Sequence, residues 1–435
     1  MSDREWGEIG VRLSTVFQPA TPISRADLFA GRIVERQRIF DAVTQAGRHA
    51  LIYGDRGVGK TSLANMIGSE LLATDSRPFL LRVNCSSSDT FSTIWSQLLE
   101  RLAIELVRAG RRHDEPVDDF SEYSPRIASL LSHLEQGTAS EIGIDDVRRL
   151  LEEVGGTADN PSALVVAVID EFDVVGDYEV RSAMADLIKY LSDRALAASV
   201  VLIGVADDAS VLLENHRSVE RCLSQILVPR MKRDELDTVV VEGLRRFEMT
   251  IAPDALAVIS RIARGLPHYA HVLGLTSSRA AVARRSTQVN LPDVGNGLNA
   301  ALDEVQASIQ REYETAVTSA RSDAKYRPVL LAAALAKTDS VGRFYAKALQ
   351  QPLATIWNEE SVSVDKFARH LTKFCDESRG PVLEKDDSSG RPRYRFTNAM
   401  LQPFVLMNGI RERLITPADL SDDVDEQPPA PPLFT

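Results

Sequence analysis

A glycine-rich turn between an apolar strand and a helix is the feature that most constrains the fold of this chain. The segment from Gly54 to Thr61 fits the phosphate-loop pattern G-x-x-x-x-G-K-[ST]. Glycines let the backbone curl so that successive N–H groups point at an anion, and the following helix turns its positive dipole end toward the same place. The alternative is a chance turn, but residues 49–53 read as a buried strand and residues 62–68 as an apolar-faced helix. The turn therefore predicts an α/β fold that binds a nucleoside triphosphate.

Each residue type in this loop has a physical role. Lys60 is expected to reach the β- and γ-phosphates, and the Thr61 hydroxyl is expected to bind Mg²⁺. The other positions are expected to surround the phosphates, largely with backbone N–H groups. The predicted contacts are Gly54, Asp55, Arg56, Gly57, Val58, Gly59, Lys60, Thr61 and Ser62.

A second segment, residues 163–173, predicts hydrolysis in addition to binding. It is a continuous apolar run that ends in acids, as expected of a central parallel strand. The acid at the end of such a strand holds the metal, so Asp170 is the predicted Mg²⁺ partner, and Glu171 is placed to polarise the attacking water as general base. The alternative is a buried strand whose acids cap the next loop. Asp173 belongs either to this set or to the turn.

Composition places the chain among globular proteins of two or three domains. Its 435 residues are 44% apolar, enough for a large core, and the formal charge of −12 argues against a uniformly nucleic-acid-coating surface. The longest apolar runs, residues 163–169 and 329–336, are too short to span a bilayer, and the first residues lack a signal-peptide core. Cys85, Cys222 and Cys375 match no metal or redox spacing, so we expect reduced thiols in a cytoplasmic protein.

Alternating strand and helix patterns predict a parallel sheet between helices, with further domains after it. Five strands are expected, at residues 50–53, 78–84, 164–169, 200–205 and 225–228. Residues 92–155 are expected to form a helical insertion. The predicted divisions are an extended N-terminal segment at 1–30, a nucleotide-binding core at 31–230, a helical lid at 231–305, a winged-helix domain at 306–413 and a disordered acidic, Pro-rich tail at 414–435.

The C-terminal third follows the order helix, helix, helix, hairpin of a winged helix-turn-helix module. The third helix is expected at residues 363–377, and the hairpin lies within residues 381–396. From Lys325 to Arg413 there are fifteen Lys or Arg and ten Asp or Glu. The predicted DNA contacts are Lys366, Arg369, Lys373, Arg391 and Arg393, joined by His370 and Arg395. The alternatives are a solvated basic face, or docking onto the ATPase part or a protein partner.

Together these motifs resemble the AAA+ ATPases, specifically the initiator branch of origin-recognition and archaeal replication-initiator proteins, with features of the STAND signalling ATPases. The resemblance spans residues 28–409. It implies an α/β fold with a parallel-sheet P-loop AAA+ core, a helical lid and a C-terminal winged helix-turn-helix. It also implies ATP as the nucleotide, since no guanine-reading Asn-Lys-x-Asp sequence occurs.

The resemblance assigns further residues to the site. Asp207 stands where AAA+ proteins usually have an asparagine that orients water, and Asn84 matches a polar switch that holds the base. Arg221 is the first choice, and Arg217 the second, for the arginine that one subunit donates to its neighbour's site. An exposed loop acid and ordinary surface ion pairs are the alternatives for these positions.

Two more residues are assigned in the same way. His268 stands in the lid motif Gly265-Leu-Pro-His, where initiators carry an arginine and where a Gly-x-Pro is typical of STAND proteins. This likeness implies nucleotide sensing by His268, and the alternative is a helix-cap histidine. Arg32 ends a segment that resembles the one packed against adenine, so it is expected near the phosphates or the base.

Two functions follow. The first is an ATP-hydrolysing switch that forms homo-oligomers and binds DNA or a partner protein through the winged helix. The second is a nucleotide-locked sensor or scaffold for a partner effector, in stress or phage defence, with little turnover. The intact pair Asp170 and Glu171 favours the first, and the departures at Asp207 and His268 favour the second. No membrane contact is expected.

Overall fold

The chain folds into two compact units. The computed structural model describes residues 2–23, 29, 31–71, 78–111, 120, 123–137, 141–206, 219–319, 325–339, 341–387 and 390–420. One unit is Pro22–Pro229, and the other combines Met1–Thr21 with Arg230–Thr435.

The regular elements of the described residues are as follows. The helices are α1 (Asp3–Arg12), α2 (Ile33–Thr44), α3 (Lys60–Leu71), α4 (Phe91–Arg111), α5 (Pro125–Glu135), α6 (Ile144–Gly155), α7 (Tyr178–Asp193), α8 (Arg233–Arg245), α9 (Pro253–Ala263), α10 (Pro267–Ala283), α11 (Leu291–Asp303), α12 (Ala307–Val317), α13 (Tyr326–Leu335), α14 (Gln350–Trp357), α15 (Ala368–Phe374) and α16 (Leu401–Arg411). The strands are β1 (His49–Gly54), β2 (Phe79–Asn84), β3 (Gly156–Thr157), β4 (Asn160–Pro161), β5 (Val165–Asp170), β6 (Ala198–Val205), β7 (Leu223–Leu227), β8 (Thr250–Ile251), β9 (Gln288–Val289), β10 (Phe344–Tyr345), β11 (Leu383–Asp386) and β12 (Arg393–Phe396).

The unit Pro22–Pro229 is built on a five-stranded parallel sheet in the order β2-β5-β6-β1-β7. Every residue of β5 is buried, as expected for a sheet covered on both faces. All five predicted strands are present, and the α/β fold with a parallel P-loop sheet is confirmed. Because the strands run in one direction, their carboxyl ends share one edge, where Gly54 pairs with Val205 and Asn84 with Asp170. Ligands bind at this edge in folds of this class.

A helical insertion stands between β2 and β5, as predicted for residues 92–155. Its helices α4, α5 and α6 contribute Trp95, Leu131 and Leu150 to the core that they share with the sheet. A short antiparallel pair, β3 and β4, follows α6 and is not foreseen by the sequence pattern.

The N-terminal segment is helical at Asp3–Arg12, which corrects the extended structure predicted for residues 1–30. The side chain of Ser2 accepts a bond from the Glu5 amide, and the Glu5 carboxylate accepts one from the Ser2 amide. This capping box satisfies two donors that a helix start leaves open. The prolines that argue for extended structure, Pro19 and Pro22, lie beyond the helix.

Phe17 anchors this segment within its own unit. Its ring is fully buried against Gly243 of α8 and Gly274 of α10. A Cβ atom added at Gly243 would lie 2.6 Å from Phe17 Cζ, and one added at Gly274 would lie 2.7 Å from Phe17 Cε1. Both helices therefore need glycine where the ring approaches them.

After Arg230, this unit continues with the four helices α8 to α11. They lie in residues 231–305, which the sequence predicts to be a helical lid. A parallel pair, β8 and β9, is an addition. None of the helices in the described ranges is long and apolar enough to cross a membrane. In the predicted tail, Pro417–Leu420 form a 3₁₀ turn with Leu420 buried, and residues 421–435 lie outside the described residues.

The C-terminal helices and hairpin follow the predicted order with two differences. The helix expected at residues 363–377 is shorter, because Phe367 has φ −131° and ψ −8° and separates the 3₁₀ turn Val364–Lys366 from α15. Phe367, Leu371 and Phe374 of this segment are buried. The expected hairpin is β11 and β12, and β10 adds a third strand beside β12.

Candidate nucleotide site

The turn after β1 has the backbone of an anion-binding loop. Gly54, Gly57 and Gly59 have φ of 144°, 84° and 96°, a region that side-chain-bearing residues rarely adopt. Gly54 is also fixed by a close approach, because a Cβ atom there would lie 2.5 Å from the carbonyl oxygen of Val228. The loop can therefore curl as predicted only with glycine at these points.

Lys60 is held at the centre of this loop. Its Nζ donates to the carbonyl oxygens of Gly54 and Asp55, each at 2.9 Å. Burial lowers the pKa of Lys60 to about 8, although the nearby carboxylates of Asp173, Asp170 and Asp55 act in the opposite direction. A buried ammonium ion whose hydrogen bonds go to backbone carbonyls is suited to a polyanionic ligand.

Thr61 and Asp170, the two residues predicted to bind Mg²⁺, lie in direct contact, and their role as metal ligands stays a prediction. The Thr61 hydroxyl donates to Asp170 Oδ2 at 2.7 Å, and the amide of Glu171 donates to Asp170 Oδ1 at 2.8 Å. Within the described ranges no group of three or more His, Cys, Asp or Glu could hold a metal alone. Mg²⁺ usually takes one or two protein oxygens and completes its shell with phosphates and water, so the hydroxyl and carboxylate fit this ion.

Glu171 follows at the same edge and is exposed to solvent. Its φ of 57° is left-handed, which is uncommon for a residue with a side chain and is often retained at functional sites. The chain thus places the buried carboxylate of Asp170 next to the exposed carboxylate of Glu171, and their roles in metal binding and catalysis stay predictions.

Asp173, for which the sequence leaves open a role in the site or in the turn, contacts the neighbouring strand β6. Its Oδ1 accepts a bond of 2.8 Å from the amide of Val205, the last residue of β6. Arg181 of α7 donates to the carbonyl oxygens of Val175 at 2.7 Å and Asp173 at 3.4 Å. Sequence reasoning missed Arg181, since no motif contains it.

Asn84 and Ser62 also lie at this end of the unit. Asn84 ends β2, is exposed, and pairs in register with Asp170. The Ser62 hydroxyl accepts a bond of 3.0 Å from the amide of Ile23, whose carbonyl accepts one of 3.1 Å from Asn65. The switch role of Asn84 and the nucleotide contact of Ser62 stay predictions.

Arg32 contacts the backbone of the phosphate loop. Its buried guanidinium donates to the carbonyl oxygens of Val58 at 3.2 Å and Pro229 at 2.5 Å. The residue therefore lies at the loop, as expected, with part of its hydrogen-bonding capacity directed at protein carbonyls. Its contact with a nucleotide stays a prediction.

Arg221 lies away from the phosphate loop. It precedes β7, and the sheet is parallel, so it stands at the opposite edge from the carboxyl ends of the strands. Its side chain is 71% exposed and pairs with Asp193 at 2.5 Å. The other two residues of this group, Arg217 and Asp207, lie outside the described residues.

His268 belongs to the unit that contains Arg230–Thr435. Its Nδ1 lies 3.0 Å from the carbonyl oxygen of Pro19, and its ring is edge-on to Tyr269 at 5.2 Å. Nδ1 must donate in this contact, because a carbonyl oxygen only accepts. Its sensing role stays a prediction.

Several of the predicted DNA-contacting cations pair with acids of their own unit. Lys366 pairs with Glu359 at 2.6 Å, and Lys373 with Asp376 at 3.3 Å. Arg393 and Arg395 pair across the hairpin with Asp386 at 3.0 Å and Glu384 at 2.7 Å. The sequence pattern that indicates these ion pairs is the alternation of acids on one strand and arginines on the other. Arg369 and Arg391 are exposed to solvent, as is Lys366.

Comparisons with known proteins agree with this geometry. Residues 28–203 match the family model of the AAA ATPase domain. The Walker-type ATPase of Pyrococcus abyssi is similar with a TM-score of 0.54 at 15% identity, over 90% of this chain and 99% of that chain. At that identity the likeness shows the fold alone, which is that of a P-loop AAA+ ATPase.

Two further solved structures have lower scores. Drosophila ORC bound to DNA has a TM-score of 0.47 at 14% identity, over 94% of this chain and 93% of that chain. The Aeropyrum pernix ORC2 protein has a TM-score of 0.47 at 15% identity, over 92% and 98%. No curated protein matches the chain in sequence.

Proposed function

We propose that this protein binds ATP with Mg²⁺ and hydrolyses it. The observation that carries the proposal is the contact between the Thr61 hydroxyl and the Asp170 carboxylate, beside a glycine loop that holds the buried Lys60. A hydroxyl, a carboxylate and an ammonium ion in this arrangement are the groups that phosphoryl transfer needs. The match of residues 28–203 to the AAA ATPase domain supports the same conclusion.

Each residue then has one task. The loop amides and Lys60 bind the phosphates, and Thr61 and Asp170 would hold Mg²⁺, which supplies charge neutralisation when bound. Glu171 is exposed and adjacent to Asp170, so it can take the proton of the attacking water.

Two substitutions test this assignment. Glu171→Gln should keep nucleotide affinity and lose about 10² to 10⁴-fold in turnover, which is the usual contribution of a general base. Lys60→Ala should lose affinity and turnover together. Asp186→Asn, an exposed carboxylate on α7, is the matched control and should behave as the parent. Parental turnover in Glu171→Gln would remove the base assignment.

We further propose that the protein works as a homo-oligomer in which Arg221 serves a neighbouring site. Three features support this: its position at the edge of the sheet opposite to its own loop, its exposure, and an exposed ion pair of the kind that contributes about 0–1 kcal/mol. Such a pair is readily exchanged for the phosphates of another subunit.

For the C-terminal domain we propose a winged helix that binds DNA, with Arg369 and Arg391 as its exposed cations. The initiator resemblance supports this. A test of this proposal measures how much DNA the protein retains with ADP and with a non-hydrolysable ATP analogue. No DNA binding with either nucleotide would overturn the proposal.

The pairing of the other cations favours a second candidate, in which the domain docks a protein partner and nucleotide only locks a conformation. The STAND-like lid motif at Gly265–Pro267 supports the same candidate. Turnover per subunit that rises with protein or DNA concentration supports the first function. A flat, negligible rate supports the second.

A further inference from the structure

Hydrogen bonds within the backbone, and contacts from neighbouring elements, hold the turn that contains Glu171. Glu171 has left-handed φ, and the 3₁₀ turn Phe172–Val174 follows at once. The turn closes on itself through Val174 N to Glu171 O at 3.1 Å and Val175 N to Phe172 O at 3.3 Å. Among the described residues, none donates a hydrogen bond to the Glu171 carboxylate, so the direction of this side chain depends on the backbone beneath it.

Two contacts fix this backbone from opposite sides. On the sheet side, Asp173 Oδ1 accepts the amide of Val205 at the end of β6. On the helix side, Arg181 Nε donates to the carbonyl of Val175 at 2.7 Å, and its Nη2 donates to the carbonyl of Asp173 at 3.4 Å. The turn is thus tied both to the next strand and to the first part of α7.

We propose that Asp173 and Arg181 are positioning residues that clamp this turn and thereby keep Glu171 directed at the attacking water. The proposal rests on the ATPase function proposed above and adds two residues to it. Left-handed backbone at a non-glycine residue persists only where its surroundings hold it, and these two side chains make the contacts that do so. A misplacement of about 1 Å in a catalytic group can cost about a hundredfold in rate.

Two variants of Asp173 separate its charge from its hydrogen bond to Val205. Asp173→Asn keeps an acceptor oxygen for the Val205 amide and removes the charge. Asp173→Ala removes both.

Steady-state kinetics separates positioning from binding. Asp173→Ala and Arg181→Met should lower kcat by about 10- to 100-fold and leave KM for ATP within a few-fold. Arg181→Lys should recover part of the loss. Asp173→Asn keeps the acceptor for the Val205 amide and should keep kcat near the parent. In a Glu171→Gln background, Asp173→Ala should cause no further loss of turnover, because the clamp acts through Glu171.

A turnover-independent measurement distinguishes this proposal from the ATPase function itself. Hydrogen exchange should accelerate at the amides of Val205 and Val174 in Asp173→Ala, and at Val174 in Arg181→Met, but not in Asp173→Asn. The control is Asp419→Ala in the other unit. It removes an equivalent hydrogen bond, which the backbone amide of Thr416 donates to the Asp419 carboxylate. Unchanged exchange in Asp173→Ala, or kcat within twofold of an active parent, overturns the clamp. An inactive parent overturns the ATPase proposal, and exchange then still decides whether the clamp exists.

Discussion

The Thr61 hydroxyl donates a bond of 2.7 Å to the Asp170 carboxylate, which joins the first turn of α3 to the carboxyl end of β5. The two residues are more than a hundred positions apart, so the contact depends on the sheet order that brings β1 and β5 to either side of β6. In the function proposed above, these two side chains would hold the divalent cation.

Removing this hydroxyl should weaken the effect of Mg²⁺ on nucleotide binding. We expect Thr61→Val to raise the Mg²⁺ concentration needed for tight nucleotide binding by about 10- to 100-fold, the usual range for lost support of a metal site. Thr61→Ser keeps the donor and should resemble the parent. Calorimetric titration of a non-hydrolysable ATP analogue at several Mg²⁺ concentrations measures this, and an identical Mg²⁺ dependence for Val and Ser would contradict it.

ATP affinity should fall as pH rises through the pKa of Lys60. Burial places that pKa near 8 in the free protein, and bound phosphates favour the charged ammonium, so the association constant should fall by up to tenfold per pH unit above about pH 8. The Lys60→Arg side chain stays charged in this range, so its ATP affinity should not fall above about pH 8. Affinity measured between pH 7 and 10 checks the difference.

The same pKa predicts a trend in stability. Its ordinary value is 10.5, so between about pH 8 and 10.5 the unfolded chain holds the proton of Lys60 more tightly than the folded one. The contribution of Lys60 to the free energy of unfolding should therefore rise with pH across this window. Chemical denaturation of the parent and of Lys60→Met at both ends of the window isolates this contribution. An equal change in both proteins would assign the trend to other groups.

Loss of Arg221 should abolish turnover and spare binding. A charge supplied from a neighbour can contribute about 10³ to 10⁵-fold in phosphoryl transfer, so Arg221→Ala should lose most activity with ATP affinity within a few-fold. Mixing it with Lys60→Ala, which lacks a working site but offers its own Arg221, should restore part of the activity. Arg194→Ala is the matched control, since Arg194 is also exposed and paired with an acid, Glu152. Co-assembled mixtures without rescue would exclude Arg221.

Phe17→Ala should destabilise the unit that contains it by about 3–5 kcal/mol, because a fully buried ring would leave a cavity between two helices. Val11→Ala, at a side chain that is 72% exposed, should change little. Gly274→Ala should also destabilise, and Phe17→Leu in the same chain should relieve part of that cost. Denaturant unfolding followed by circular dichroism measures all four proteins.

The sequence predicts the sheet and the centre of the site because local patterns determine both. Apolar runs mark the five strands, and the glycine loop and the acids after β5 must meet once those strands are parallel. Asp173 could not be assigned in this way, because its partner is a backbone amide at the end of β6 that no motif identifies. Arg181 is recognisable only when the first part of α7 is seen beside the turn.

Two further features have a signal in the sequence. Ser2 and Glu5 spell a capping box at the very start, yet two later prolines dominated the interpretation. Arg393 and Arg395 alternate opposite Asp386 and Glu384, and the observed register places each arginine beside an acid. A count of charges along the chain does not show which residues pair across the two strands, so it overstates how basic the hairpin is.

The burial of Phe17 has a consequence for how the protein is made. A ribosome delivers Phe17 before the unit Pro22–Pro229, but its partners Gly243 and Gly274 emerge more than two hundred residues later, after the whole of that unit. Domains tend to fold as units in the order of synthesis, so the unit Pro22–Pro229 can form while the Phe17 ring still lacks these two partners. A fragment that starts at Arg230 would lack the ring that fills the gap between α8 and α10, so the other unit can complete its core only with a segment that was synthesised long before the rest of it.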